Sequence, residues 1–157
     1  MNIVLLEPEI PINTANIGKL CLATGTHLHL IEPLGYKLNK KSIQKANLEY
    51  NWYQVDLHIY DSWDVFCVKN PEINIYYAST KAKYVYTDVI FEENTFVMFG
   101  KESAGIPEEI LLERPEQCIR IPMLENQRSL NLSNSVAIIL YEALRQQDFK
   151  CIERLEI

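Results

Sequence analysis

The sequence predicts an α/β fold, in which helices cover both faces of a mainly parallel sheet, in a single domain spanning residues 1–157. Two observations predict this fold. Short aliphatic or β-branched runs alternate with helix-forming segments along nearly the whole chain, a pattern typical of parallel sheets. The length of 157 residues and the hydrophobic share of 48% suit the core of one domain. In such sheets a ligand binds outside the carboxyl ends of the strands.

The chain opens with a strand followed by a helix. Asn2–Leu6 is an aliphatic run typical of a buried strand, and two prolines force an extended loop after it. We expect Asn13 or Thr14 to cap the helix that follows, and Gly25 to end it. This unit is the first of the alternating pairs that the fold requires.

Residues 27–33 alternate in polarity and then turn, which predicts a second strand. His27 and His29 would point to the same side of this strand. Two histidines make a poor metal site when no third and fourth ligand is in view. We therefore expect no bound metal.

The next part of the chain is rich in lysine and then in aromatic residues. Residues 36–48 carry four lysines and few apolar positions, which is typical of a solvated surface helix, with an RNA-facing patch as the alternative. Residues 50–60 are aromatic and β-branched enough for a third strand. Asp61 or Ser62 is expected to cap a short helix after it.

Two further strands are predicted at residues 73–80 and 95–99, with a lysine-containing loop between them. The glycines of residues 100–105 suit a backbone that turns or lets something approach closely, and Pro107 suits the start of a helix. The glycine spacing is superficially that of a phosphate-binding P-loop. Ile106 and Pro107 stand where that motif requires Lys and Ser or Thr, so a P-loop is excluded.

Residues 119–146 begin as a short strand, stopped by Pro122, and end as a long helix with one apolar side. Asn131, Ser133 or Asn134 can cap that helix, which leaves free amides in the preceding loop for a polar ligand. An ordinary capped turn is the alternative. Three loops at strand ends are therefore the candidates for a binding site, and they follow three residues: Ala78, Phe99 and Ile121.

Composition and charge narrow the class of protein further. No basic and apolar leader pattern precedes the first strand, and no apolar run approaches the roughly 20 residues of a membrane span. We therefore expect a cytoplasmic protein without a membrane partner. The net charge of −6 argues against non-specific coating of nucleic acid, although a local basic patch could hold one folded RNA. Four cysteines without a C-x-x-C pair are expected to be reduced packing residues: Cys21, Cys67, Cys118 and Cys151.

Three segments resemble the motifs of a known family. PEIPINTANIGKLC (8–21), VMFGKESAGIP (97–107) and IRIPMLENQRSLNLSNSVAIILYEALRQ (119–146) are similar to the three motifs of the SPOUT class (SpoU-like) of RNA methyltransferases. Within that class they resemble the small bacterial tRNA wobble-nucleotide 2′-O-methyltransferases. The resemblance keeps motif order and spacing and covers almost the entire chain. Larger relatives carry an extra RNA-binding segment for which this chain has no room.

The resemblance implies a fold, a cofactor and partners. The last part of the chain would form a deep trefoil knot, and a homodimer would place its active sites near the subunit interface. The substrate would be the anticodon stem-loop of tRNA, methylated at the 2′-oxygen of the wobble cytidine or uridine, position 34. S-adenosylmethionine would bind in a bent shape to backbone groups of the three loops, by position at five residues: Ala78, Gly100, Ile121, Ser129 and Leu130.

The resemblance also implies roles for individual side chains. Asn131 would lie near the methyl group, and Glu102 would be an orienting carboxylate. Lys19 stands where relatives usually have arginine, so it would act as base or as counter-ion, and it would also contact RNA. The other candidate RNA contacts are Asn16, Lys81 and Tyr141. Tyr141 could instead pack against the cofactor or the other subunit, or be a plain core-edge residue.

Two departures from the family pattern leave alternatives open. Ala15 replaces a usual glycine, and Ala104 stands where some relatives carry arginine. Together with Lys19, these changes are compatible with a knotted dimer that binds S-adenosylmethionine or RNA but has impaired turnover. A third possibility keeps the chemistry and moves the target to ribosomal RNA or another tRNA position. No metal is needed in any of these readings, because S-adenosylmethionine brings its own activated methyl group.

Overall fold

The computed structural model describes residues 1–38, 52–150 and 152. Most of the predicted lysine-rich helix, the start of the predicted third strand and Cys151 lie outside these residues. The described part contains seven strands: β1 Asn2–Leu6, β2 His27–Ile31, β3 Leu57–Tyr60, β4 Ile75–Ala78, β5 Tyr84–Val85, β6 Phe96–Phe99 and β7 Cys118–Arg120. It also contains four α-helices: α1 Pro11–Thr24, α2 Trp63–Lys69, α3 Glu108–Glu113 and α4 Leu132–Gln146.

The strands form one sheet in the order β3-β2-β1-β6-β4-β7-β5. Each pair of neighbouring strands is parallel. The late strand β7 lies between β4 and β5, although β4 and β5 are consecutive along the chain. This order confirms the predicted parallel sheet. The trefoil knot stays a prediction that the family resemblance implies.

Helices cover both faces of the sheet, so there are two hydrophobic cores. The side chains of β1 point alternately into one core and the other. Ile3 and Leu5 are buried in a cluster with the apolar sides of α1 and α4. Val4 and Leu6 are buried in a second cluster that includes Phe66 of α2 and residues of α3. The predicted apolar face of α4 is buried in the first cluster, through Val136, Ile139, Leu140, Ala143 and Leu144.

The helix ends confirm some predicted caps and contradict one. The Ser62 hydroxyl accepts a hydrogen bond from the backbone of α2 at 3.2 Å, and Gly25 ends α1 in the left-handed conformation with φ 63°. The prediction that Asn13 or Thr14 caps α1 was wrong. The helix begins at Pro11, and Ile10 before it has no capping side chain. The two amides just before the helix, those of Glu9 and Ile10, donate to the carboxylate of Glu102, more than 90 positions later, which local sequence could not indicate.

The third strand is shorter than predicted. Residues 52–54 form a 3₁₀ turn in which the Val55 amide donates to the Trp52 carbonyl at 3.1 Å. Trp52 and Val55 are both buried in the core with α1. Side chains three positions apart share a side in a helical turn but not in a strand, so burial of this pair favours the turn. The short strand β5 and the 3₁₀ turn after it were not predicted.

Three cysteines lie in the described residues, and all three are free thiols. Cys21 and Cys118 are buried, as expected of packing residues, whereas Cys67 is exposed on α2. Burial raises the pKa of the Cys21 thiol to about 12, so this group stays protonated. Among the described helices, none has both the length and the apolar character that crossing a bilayer requires.

A buried histidine in β2 links protein stability to pH. His29 is 4% exposed, with Nδ1 3.1 Å from the Tyr60 hydroxyl and Nε2 3.1 Å from Asn2 Oδ1. Burial, followed by the neighbouring His58 and His27, lowers the pKa of His29 to about 3. An unfolded histidine has a pKa of about 6.5. Below that pH the unfolded chain gains a proton that the folded chain does not, so stability falls as the pH drops from 6.5 towards 3.

We expect His29→Gln to reduce this acid sensitivity, because glutamine carries no charge in this pH range. Between pH 7 and pH 5 the unmodified protein should lose about 2 kcal/mol more free energy of unfolding than the variant. Urea unfolding at pH 7, 6 and 5 in the presence of EDTA measures the difference. Equal losses in both proteins would show that His29 does not drive the acid response.

Candidate active site

A cavity of about 540 Å³ opens at the carboxyl ends of β4, β6 and β7. Its walls are the loops after Ala78, Phe99 and Ile121, the three loops that the sequence indicated. Eight of the predicted site residues line it: Ala78, Lys81, Gly100, Glu102, Ile121, Ser129, Leu130 and Asn131. The cavity therefore unites residues from three segments that are far apart along the chain.

The loop after β6 is folded tightly on itself. The Gly105 amide donates to the Lys101 carbonyl at 2.8 Å, and Gly105 has a positive φ of 74°. A Cβ atom on Gly100 would lie 2.0 Å from the Gly105 carbonyl carbon and 2.2 Å from the Ile106 nitrogen. No side chain fits there. A glycine is therefore needed at position 100 because the backbone of the same loop passes too close for a Cβ atom. The sequence had suggested only that the backbone turns or lets something approach closely there.

This loop is also tied to the loop that precedes α1. The Lys101 ammonium lies 2.9 Å from a Glu7 carboxylate oxygen, and the Ser103 hydroxyl donates to Glu9 at 2.9 Å. The Ser103 amide also donates to Glu9, at 2.8 Å, and the two hydrogen bonds hold the pKa of the Glu9 carboxyl below its usual range. The first and second motifs therefore form one rigid wall of the cavity.

Glu102 completes this wall by holding the backbone just before α1. Its Oε2 accepts from the Glu9 amide at 2.7 Å and its Oε1 from the Ile10 amide at 3.3 Å. A carboxylate at a helix N-terminus also interacts favourably with the helix dipole. Glu102 therefore fixes the backbone where the chain enters α1.

A chain of hydrogen bonds runs from Glu102 through Asn13 to Asn131. Asn13 Nδ2 donates to Glu102 Oε1 at 2.9 Å, and Asn131 Nδ2 donates to Asn13 Oδ1 at 3.0 Å. Asn131 Oδ1 accepts from the Ser133 amide at 2.9 Å, which caps α4 as predicted. Both ends of the Asn131 carboxamide are thus oriented by protein groups.

Asn13 is the site residue that the sequence analysis missed. Its side chain is 3% exposed, lines the cavity and joins the other two members of the chain of hydrogen bonds. An asparagine just after Pro11 is compatible with a helix cap, and that is the role that was predicted for it. The available signal was its place within the first motif, where it precedes Asn16 by three residues.

Three predicted site residues do not line the cavity of their own chain. Asn16 and Lys19 are exposed on α1, and Tyr141 is 46% exposed on α4, with its ring centroid 6.4 Å from that of Phe149. The structure therefore separates the predicted cofactor residues, which converge, from most of the predicted RNA contacts. Lys81 is the predicted RNA contact that does reach the cavity.

The fold and the cavity define a class: an α/β protein whose parallel sheet has a cavity of small-molecule size at the carboxyl ends of its strands. The chain belongs to the SpoU rRNA Methylase family, whose model matches residues 1–141. This membership confirms the SPOUT-class resemblance and the prediction of an RNA methyltransferase.

Relatives match nearly the whole chain. A Methylovorus glucosotrophus protein named tRNA (cytidine(34)-2'-O)-methyltransferase is 44% identical over 149 residues, which cover 94% of this chain and 96% of that protein. A solved structure described as giving insights into the 2-OH methylation of C/U34 on tRNA is 38% identical, with a TM-score of 0.87, and the match covers 94% of this chain and 95% of that chain. A SpoU methyltransferase from Streptomyces viridochromogenes, solved with AdoMet, shares the fold at 20% identity with a TM-score of 0.76. The match covers 94% of this chain and 58% of that chain.

Proposed function

We propose that this chain transfers the methyl group of S-adenosylmethionine to the ribose 2′-oxygen of the wobble nucleotide, cytidine or uridine 34, in tRNA. The observation that carries the proposal is the cavity formed by three loops, with Asn131 held at its rim by Asn13 and Glu102. Two relatives that match more than nine-tenths of this chain and of their own length are described by this reaction.

The residues of the cavity fit S-adenosylmethionine. A volume of about 540 Å³ lies in the range of small-molecule sites. The walls are apolar where Phe99, Ile119 and Ile139 line them, and polar at the loops, which suits a nucleoside joined to a charged amino-acid tail. We assign the cofactor contacts to the predicted set of Ala78, Gly100, Ile121, Ser129 and Leu130. When bound, the cofactor supplies a methyl group already activated on a sulfonium.

Asn131 is the side chain that we place against the reacting hydroxyl. A carboxamide NH₂ carries two donors, and one of them is directed to Asn13. We assign the other to the ribose 2′-oxygen, which must be aligned with the methyl group before transfer. The carboxylate of Glu102 acts one step further away, since it holds Asn13 and not the cavity's ligand. We therefore propose that Glu102 positions the site and that Asn131 contacts the substrate.

We further propose that the protein works as a homodimer in which Lys19 serves the partner's cavity. Lys19, Asn16 and Tyr141 are exposed and lie outside the cavity of their own chain. A two-fold axis would allow exposed residues of one chain to complete the site of the other. In that arrangement Lys19 would act as base, or as counter-ion to the RNA, in the partner's site.

Mixing two inactive variants tests the role of Lys19. Lys19→Ala and Asn131→Ala should each be inactive alone. Equal mixing after partial unfolding and reassembly should restore about a quarter of the unmodified rate, because half of the dimers are mixed and each holds one intact site out of two. If Lys19 acts within its own chain, mixing restores nothing, and that result would contradict this part of the proposal.

Methyl transfer itself is tested with labelled S-adenosylmethionine and tRNA from cells that lack the modification. We expect label in the ribose of nucleotide 34, identified by mass spectrometry of the digested tRNA. An anticodon stem-loop with 2′-deoxyribose at position 34 is the matched control and should accept no label. Label at another tRNA position, or in ribosomal RNA from the same cells incubated in parallel, would favour the alternative target.

A further inference from the structure

A second cluster of polar side chains lies at the amino ends of β2 and β3, whereas the cavity lies at the carboxyl ends of other strands. The parallel register pairs Leu28 with Leu57 and His29 with His58. His27 precedes Leu28 and Asp56 precedes Leu57, so His27 and Asp56 also lie side by side. Because side chains alternate along a strand, all four polar residues emerge on the same face of the sheet.

Within this cluster a carboxylate lies between two imidazoles. His27 Nδ1 is 2.6 Å from Asp56 Oδ2, and His58 Nε2 is 3.0 Å from Asp56 Oδ1. The three ligand atoms lie within 4.8 Å of one another. All three side chains are about half exposed, so an ion can reach them from solvent. His27 lowers the pKa of the Asp56 carboxyl, which keeps this group ionised at neutral pH.

His29 is the buried neighbour of the cluster, and neither of its nitrogens is available to bind an ion. Its ring stacks on that of His58, with 4.7 Å between centroids and 15° between planes. Both of its nitrogens already face Tyr60 and Asn2. The stacking fixes the plane of His58 and therefore the direction of its nitrogens.

We propose that His27, Asp56 and His58 form a binding site for a divalent transition-metal ion, with Zn²⁺ as the representative ion. Two imidazole nitrogens and one carboxylate oxygen are a ligand set that Zn²⁺ accepts, with a fourth position left for water. Mg²⁺ and Ca²⁺ prefer all-oxygen sites and are disfavoured here. The ion takes the place of the protons that now join the carboxylate to the rings.

The proposed ion would join two strands. In the described sheet β3 is the edge strand and pairs with β2 alone. An ion held by His27 of β2, by His58 of β3 and by Asp56 just before β3 would link this edge strand to its neighbour. The site is separate from the catalytic cavity, which lies at the carboxyl ends of other strands. The proposal does not depend on the proposed methyl transfer.

Calorimetric titration with ZnCl₂ tests the site in full-length protein that has been treated with EDTA. The protein used as parent in this titration is the double variant Cys67→Ser and Cys151→Ser, so that neither of these two cysteines can contribute a thiol ligand. We expect one Zn²⁺ per chain, a higher melting temperature with Zn²⁺, and no such effect of Mg²⁺. Asp56→Asn and His58→Gln should each weaken Zn²⁺ binding by about tenfold or more. Asp61→Asn, at an exposed carboxylate outside the cluster, is the matched control and should bind as the parent does.

Circular dichroism without metal establishes that each variant is folded, and His27→Gln replaces any variant that is not. The absence of saturable Zn²⁺ uptake by the parent would overturn the proposal. Equal affinity in the parent and in folded Asp56→Asn or His58→Gln would also overturn it, because Zn²⁺ would then bind elsewhere on the chain.

Discussion

Asn131→Ala is expected to lower the rate of methyl transfer by about 10²- to 10³-fold, the usual cost of removing a donor aligned with a reacting oxygen. The same change removes the cap of α4, which costs about 1 kcal/mol of stability. A folded but inactive protein is therefore the expected result. Single-turnover rates with tRNA, together with a melting curve, measure both effects.

Asn131→Asp separates the two roles of this side chain. A carboxylate still accepts the hydrogen bond from the Ser133 amide, so α4 keeps its cap. It has no donor for Asn13 and none for the ribose oxygen. We expect the variant to be as inactive as Asn131→Ala, while α4 keeps the cap that Asn131→Ala removes. Full activity in Asn131→Asp would show that the side chain serves only as a helix cap.

Gly100→Ala is expected to have the largest effect on the cavity itself. The added Cβ would lie 2.0 Å from a backbone carbon of Gly105, and no rotation of a side chain relieves that overlap. We expect a loss of about 3 kcal/mol in the free energy of unfolding, with no measurable binding of S-adenosylmethionine. Urea unfolding and calorimetric titration measure the two quantities.

Gly105→Ala in the same loop is the matched control. A Cβ atom at Gly105 would meet nothing within 4 Å, so the change costs only the positive φ of 74°, about 1 kcal/mol. We expect this variant to keep most of its affinity for the cofactor. Equal damage from the two alanines would show that general loop strain, and not the contact at Gly100, sets the shape of the cavity.

The strand and helix pattern of this fold was predictable because it depends on local hydrophobic spacing. The strand at Asn2–Leu6 and the apolar face of α4 were predicted on that basis and are confirmed. The contact of Glu102 with the backbone before α1 was not predictable, because Glu102 is more than 90 residues from the amides that donate to it. The 3₁₀ turn at Trp52 was missed because its burial depends on α1, which lies far away in the sequence.

Most residues of the candidate site could be predicted from the sequence, but the hydrogen bonds that join them could not. Motif resemblance selected Glu102 and Asn131, which both line the cavity. It did not reveal that Asn13 lies between them, because a hydrogen-bonded chain across three segments leaves no local pattern. The cluster of His27, Asp56 and His58 was hidden for a similar reason. Only the register between β2 and β3 brings those residues together.

Calorimetric titration of S-adenosylmethionine into the folded protein, alone and with an anticodon stem-loop, tests the central claim most directly. That claim is that three loops at the carboxyl ends of β4, β6 and β7 form one cavity for the methyl donor. We predict saturable binding of one S-adenosylmethionine per chain, lost in Gly100→Ala and kept in Gly105→Ala. The absence of any binding by well-folded protein, with or without the RNA, would contradict the claim.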